Sequence, residues 1–160
     1  MHIEGVIDMA APQRTTPDPR VVTRARDLLE KADSLADLAA DAAGPADQLR
    51  ELYVSALRAA GAALAIGESS LGPRRGTSNA WARLPRAIPS MTTWATYFAG
   101  LSRLRADIEV GIVRDVDALR VRETRARLQD FLDDVEAQVL AYEQGRPGPT
   151  SPAHNPARSA

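Results

Sequence analysis

The sequence predicts an all-α protein, an antiparallel bundle of four to five helices with flexible ends. Three observations carry that expectation. Apolar residues recur at alternating spacings of three and four over long stretches, which puts them on one face of a helix. Gly44-Pro45, Gly67, Pro89 and Gly111 fall where those stretches end. Strand signals are weak, and only Gly111-Ile112-Val113 offers a short β-branched run.

The first helix is expected from Pro19 to Ala43. Its stripe is Val21, Ala25, Leu28, Ala32, Leu35, Ala39 and Ala42. Asp18 is the natural N-cap, with Pro19 in the first turn, and Gly44-Pro45 is the stop. The second helix spans Ala46 to Ile66 on Leu49, Leu52, Ala56, Ala59, Ala63 and Ile66. Its alanine-rich face allows a neighbour to come close. Gly67 ends it, and residues 67–77 read as an exposed loop.

The third segment is broken. A short helix capped by Ser78 carries Trp81 and Leu84, with Pro85 expected to kink it. Pro89 pushes Ile88 out of helical geometry, so a new helix should start near Ser90. Met91, Trp94, Phe98, Leu101, Leu104 and Ile108 form its stripe, and Gly111 is its stop. The last helix begins near Asp115 or Asp117 and runs to Gln144 on Val121, Leu128, Phe131, Val135, Val139 and Tyr142. Short connections between such helices favour an antiparallel bundle. The expected organisation is a flexible leader at 1–17, the bundle at 18–144 and a disordered proline-rich tail at 145–160. Met9 is a second candidate start.

The chain has 160 residues and a net charge of −1, which suits one domain with a proper core. Cysteine is absent, so disulfides, thiolate zinc sites and cysteine nucleophiles are excluded. The N-terminus lacks the pattern of a signal peptide, and no apolar run is long enough to span a membrane. The expectation is a soluble, cytoplasmic protein with no membrane partner. The charge is unevenly spread. Residues 1–71 hold 7 basic and 11 acidic side chains, residues 72–127 hold 11 and 5, and residues 128–160 hold 2 and 5. All basic residues except Lys31 are arginine, which fits either a GC-rich coding bias or a face for phosphates and acidic partners.

Common bundle chemistries lack their residues. The only histidines, His2 and His154, lie in the expected flexible ends. That leaves no Glu-x-x-His pair for a di-iron centre, no zinc ligand set and no Ser-His-Asp triad. Gly72 and Gly76 are not followed by the Gly-Lys-Ser/Thr of a phosphate loop. No cofactor or metal is called for, and no catalytic residue is assigned. The candidates for an anion or RNA contact are Arg50, Tyr53 and Arg58 on the second helix. A candidate basic patch combines Arg103 and Arg105 with Arg120, Arg122, Arg125 and Arg127. For both groups the simpler reading is a solvated face. Trp81 and Trp94 fall on apolar stripes and read as core rather than as base-stacking platforms.

Several short segments in order resemble a small bacterial branch of the HEPN helical-bundle domains. They are Leu57-Arg58-Ala59-Ala60, Asn79-Ala80-Trp81, Ile88-Pro89, Trp94-Ala95 with Phe98-Ala99, Arg105-Ala106 with Glu109 and Gly111, and Phe131 with Val135. The resemblance spans residues 20–142 and implies a four- to five-helix bundle that often dimerises. Many HEPN domains are metal-independent ribonucleases that use an Arg followed, four to six residues on, by a His. Others lack the motif and serve as binding or regulatory modules. After Arg50 the motif positions hold Ser55, Ala56 and Leu57, and where the related branch would place its Arg and His stand Gln48 and Tyr53. No catalytic role carries over. The resemblance implies a non-catalytic interaction module, a homodimer with a protein or RNA partner. The alternatives are a ribonuclease with an altered site and an RNA-binding protein.

Overall fold

The structure is a computed structural model that describes residues 16–71 and 78–154. The expectations for residues 1–15, for Gly72 and Gly76 in the loop, and for residues 155–160 lie outside the described residues. Helix α1 is Pro19–Ala39, α2 is Pro45–Gly67, α3 is Ala80–Ala87, α4 is Thr92–Glu109 and α5 is Ala118–Glu143. One 3-10 turn, Pro89–Met91, joins α3 to α4, and no strand occurs among the described residues. The Gly111-Ile112-Val113 run is therefore loop, with Ile112 exposed.

Helices α1, α3 and α5 start where a side-chain acceptor meets an orphan N–H, while α2 opens on Gly44 without a side-chain cap. Asp18 accepts from the Arg20 amide, Asn79 from Trp81 and Asp117 from Leu119, at 2.9 to 3.0 Å. Asn79, not Ser78, caps α3. Ile88 is extended (φ −138°, ψ 93°) because the Pro89 ring crowds a helical residue before it. Gly111 takes a left-handed φ of 78° after α4, and Gly145 one of 66° after α5. At Gly145 two bonds close the helix end, from Gly145 N to Tyr142 O and from Arg146 N to Ala141 O.

Paired positions fix the helix directions. Ser55 Oγ donates to Ala32 O at 2.6 Å, and the space beside Gly61 is filled by Leu28, so α1 and α2 run antiparallel. Trp94 pairs with Asp134 and Phe98 with Phe131, so α4 and α5 are antiparallel too. Helices α1, α2, α4 and α5 form an up-down-up-down bundle in which α2 touches every other helix. Ala25, Ala32 and Ala39 recur every seven residues on α1, fully buried. With Ser55 and Gly61 on the facing side of α2, these small side chains let the two backbones approach. Of the α1 stripe, Leu28 is only half-buried, and Leu29 takes the core position beside it.

The centre is aromatic. Phe98 lies 4.9 Å from Phe131 and 5.2 Å from Trp81, and Trp94 lies 5.6 Å from Phe131, between ring centroids. All four rings are buried, as expected for Trp81 and Trp94. Residues 145–154 have no helix, yet they return along α5. The Gln138 amide donates to Pro149 O at 2.9 Å and Ser90 Oγ to the same carbonyl at 3.2 Å. Gly148 permits this approach, since a Cβ there would collide with the Gln138 amide.

Arg26 ties α1 to α5 by reaching both Glu143 (2.5 Å) and Glu136 (2.6 Å). The hydrogen bond from Arg26 holds the Glu143 carboxyl below its ordinary 4.5, against the opposing effect of burial. A carboxyl held low in the folded state contributes stability above its unfolded pKa and loses it as pH falls. Urea midpoints taken from about pH 6 down to about pH 3 should therefore drop below pH 4.5. Glu143→Gln should lower the midpoint at the high end and flatten that part of the drop.

Candidate functional site

Arg50, Tyr53 and Arg58 share helix α2 but not a site. At 3.6 residues per turn Arg50 points about 60° and Arg58 about 140° away from Tyr53, both around the same side of the helix. Tyr53 is buried, while Arg50 and Arg58 are exposed. Arg50 is engaged with its own helix, 3.1 Å from Asp47 and 4.0 Å from Glu51. Such exposed pairs contribute at most about 1 kcal/mol, but they offset the charge an anion would meet.

Tyr53 has both its polar and its apolar parts committed. Its hydroxyl accepts the Trp81 indole N–H at 3.0 Å. Its ring lies 6.3 Å from Trp81 on one side and carries the Arg105 guanidinium, 5.1 Å from the centroid. Arg105 also bonds Glu109 one turn on, at 3.1 Å. This Tyr53–Arg105 contact is the link the fold makes between the two candidate groups. With Asp47, Glu51 and Glu109 around it, the surface beside Tyr53 alternates in charge.

The basic patch divides. Arg127 lies over the Tyr97 ring, 5.9 Å from its centroid. Arg120 projects within about 20° of Arg127 around α5, whereas Arg122 and Arg125 point to the other side. Arg103 and Arg105 diverge by about 160° on α4. Arg58, Arg103, Arg120, Arg122 and Arg125 form no ion pair with another described residue, and only Arg125 among them is half-buried. Among the candidates, these are the cations left available to solvent or a partner.

A cleft of about 630 Å³ opens elsewhere, between the end of α2, the α3–α4 joint and the returning segment after α5. Asp18, Tyr142, Ser90 and Arg146 border it over a floor that includes Ile66 and Ile88. None of the sequence candidates lines it. Its polar edge is internally bonded, with the Tyr142 hydroxyl accepting from the Asp18 amide at 3.0 Å. No local pattern marks this cleft, because it forms only when the tail folds back.

The helical bundle accords with a comparison to known families. The family model described as SAV_6107-like HEPN matches residues 39–136, from the last turn of α1 into α5. That is more than half of the chain, and the chain belongs to this HEPN family. No curated protein and no solved structure matches it. No described helix is long and apolar enough to cross a membrane.

The buried Tyr53–Trp81 bond makes a direct prediction. Tyr53→Phe keeps the ring under Arg105 but strands the indole N–H, so chemical denaturation should show a loss of about 1–3 kcal/mol. Arg50→Ala should change stability by less than about 1 kcal/mol.

Proposed function

We propose that this chain is a non-catalytic HEPN-domain interaction module that works as a homodimer. Tyr53 carries the reading. It stands where the related HEPN branch would place its catalytic His, and its hydroxyl is buried and bonded to Trp81. A general acid or base must reach the proton it moves and titrate near the working pH, and a phenol has an unperturbed pKa of about 10. Gln48, at the position of the Arg, brings no positive charge to a phosphate.

Exposed apolar side chains support association. Val110, Ile112 and Leu119 stand 71%, 74% and 53% exposed around the α4–α5 connection. A two-fold contact between copies would remove that surface from water. A second reading, RNA binding without cleavage, draws on the unpaired Arg58, Arg103, Arg120, Arg122 and Arg125.

Purified protein should leave RNA intact with EDTA present, and Arg50→Ala should behave as the parent. Cleavage by the parent that disappears in Arg50→Ala would replace this reading with an altered ribonuclease. Sedimentation velocity should show a dimer that Ile112→Asp weakens, whereas a monomer at high micromolar concentration would remove the homodimer. RNA affinity that falls steeply with salt would favour the second reading.

A further inference from the structure

His154 does not stand apart from the bundle. The returning segment carries it onto α5, where its Nδ1 lies 3.3 Å from Asp134 Oδ1 and its Nε2 3.8 Å from Asp130 Oδ1. One ligand atom each from Asp130, Asp133 and His154 falls within a 4.8 Å sphere of mutual separation. Asp130 and Asp133 sit one helical turn apart, so both carboxylates face the same side of α5.

The orientation of the ring is the telling feature. Asp134 is 95% buried from solvent (5% exposed) and bonded through Oδ2 to Trp94 Nε1 at 2.8 Å. Its remaining oxygen takes the Nδ1–H of His154. That fixes the tautomer whose Nε2 lone pair faces Asp130 and Asp133. A buried carboxylate that orients a histidine in this way is the usual outer partner of a metal-binding imidazole.

We propose that His154 Nε2, Asp130 and Asp133 form a divalent metal site of the zinc class, a clasp that pins the C-terminal segment to α5. The borderline imidazole nitrogen, joined to two hard carboxylates, suits the mixed N/O ligand sets of Zn²⁺ rather than the all-oxygen sites of Mg²⁺ or Ca²⁺. Ligands 2.0–2.2 Å from a tetrahedral ion lie about 3.4 Å apart, slightly closer than His154 and Asp130 stand here. Three protein ligands leave one position for water. The site reaches beyond the family match at residues 39–136, since its imidazole comes from the segment after α5.

Co²⁺ is the probe, because its visible absorption reports its coordination, and Zn²⁺ competition follows. The full-length chain should bind one Co²⁺ with a tetrahedral-type spectrum that one equivalent of Zn²⁺ abolishes. His154→Ala and Asp130→Asn should each remove that spectrum while far-UV circular dichroism stays helical. Asp134→Asn should weaken binding about 10–100-fold. His2→Ala should leave binding unchanged, which excludes a site at the other histidine. No spectrum in the parent, or a spectrum that survives His154→Ala, overturns the proposal. If low pH alone pins the segment, with no metal dependence, the cluster is a histidine–carboxylate ion pair and the metal site is refuted.

Discussion

Two indole N–H groups lie in an apolar core, and each must find an acceptor or cost the fold its desolvation. The ways they do so organise this bundle. Trp94 reaches Asp134 across the α4–α5 interface, and Trp81 reaches Tyr53 across the α3–α2 interface. Each bond has one favourable register, so apolar packing that would tolerate sliding is pinned at two places. Between them Phe98 and Phe131 fill the centre. The arrangement also explains a buried carboxylate. Asp134 is held by one donor from the core and one from the returning segment, and the cost of burying it falls on a group with two partners.

The other half of the bundle is held differently. Helices α1 and α2 meet through alanines, which gain little per side chain but allow many close backbone contacts. Ser55 fits the same logic, since only a small hydroxyl could bond the Ala32 carbonyl across so short a gap. Arg26 then closes α1 onto α5 at the surface. A tight small-residue pair and an aromatic centre thus share one helix, α2, which explains why α2 is the most buried element.

Much of this was legible locally. Helix periodicity, the Asp18 cap, the break at Ile88-Pro89 and the stop at Gly111 each depend on neighbours within a turn. The choice of Asn79 over Ser78 was not, because both are good caps and tertiary packing decides between them. The end of α1 at Ala39 rather than Ala43 is similar, since alanine propensity favours continuing and the turn into Pro45 forbids it. Among the candidate residues, Tyr53 and Arg105 are brought together by the fold, but they lie 52 positions apart and no spacing rule joins them. The returning segment was hidden for the same reason. Proline content argues against helix in 145–154 but says nothing of Gln138 and Ser90 waiting for the Pro149 carbonyl.

The resemblance to a HEPN branch that would place a histidine at position 53 gives the Tyr53–Trp81 bond a further meaning. A histidine at position 53 would have to serve two tasks at once. As an acceptor for the Trp81 indole it must be neutral at the nitrogen facing Trp81. As a proton donor in a cleavage cycle it must carry a proton there for part of the cycle, which would set donor against donor in a buried site. A phenol hydroxyl accepts without conflict, because its own proton turns away from the incoming N–H. Its ring also gives the Arg105 guanidinium a face to rest on. Both the hydroxyl and the ring of Tyr53 are therefore engaged as a core residue's should be. Returning a histidine to this position alone would cost the bond to Trp81 before it supplied any chemistry.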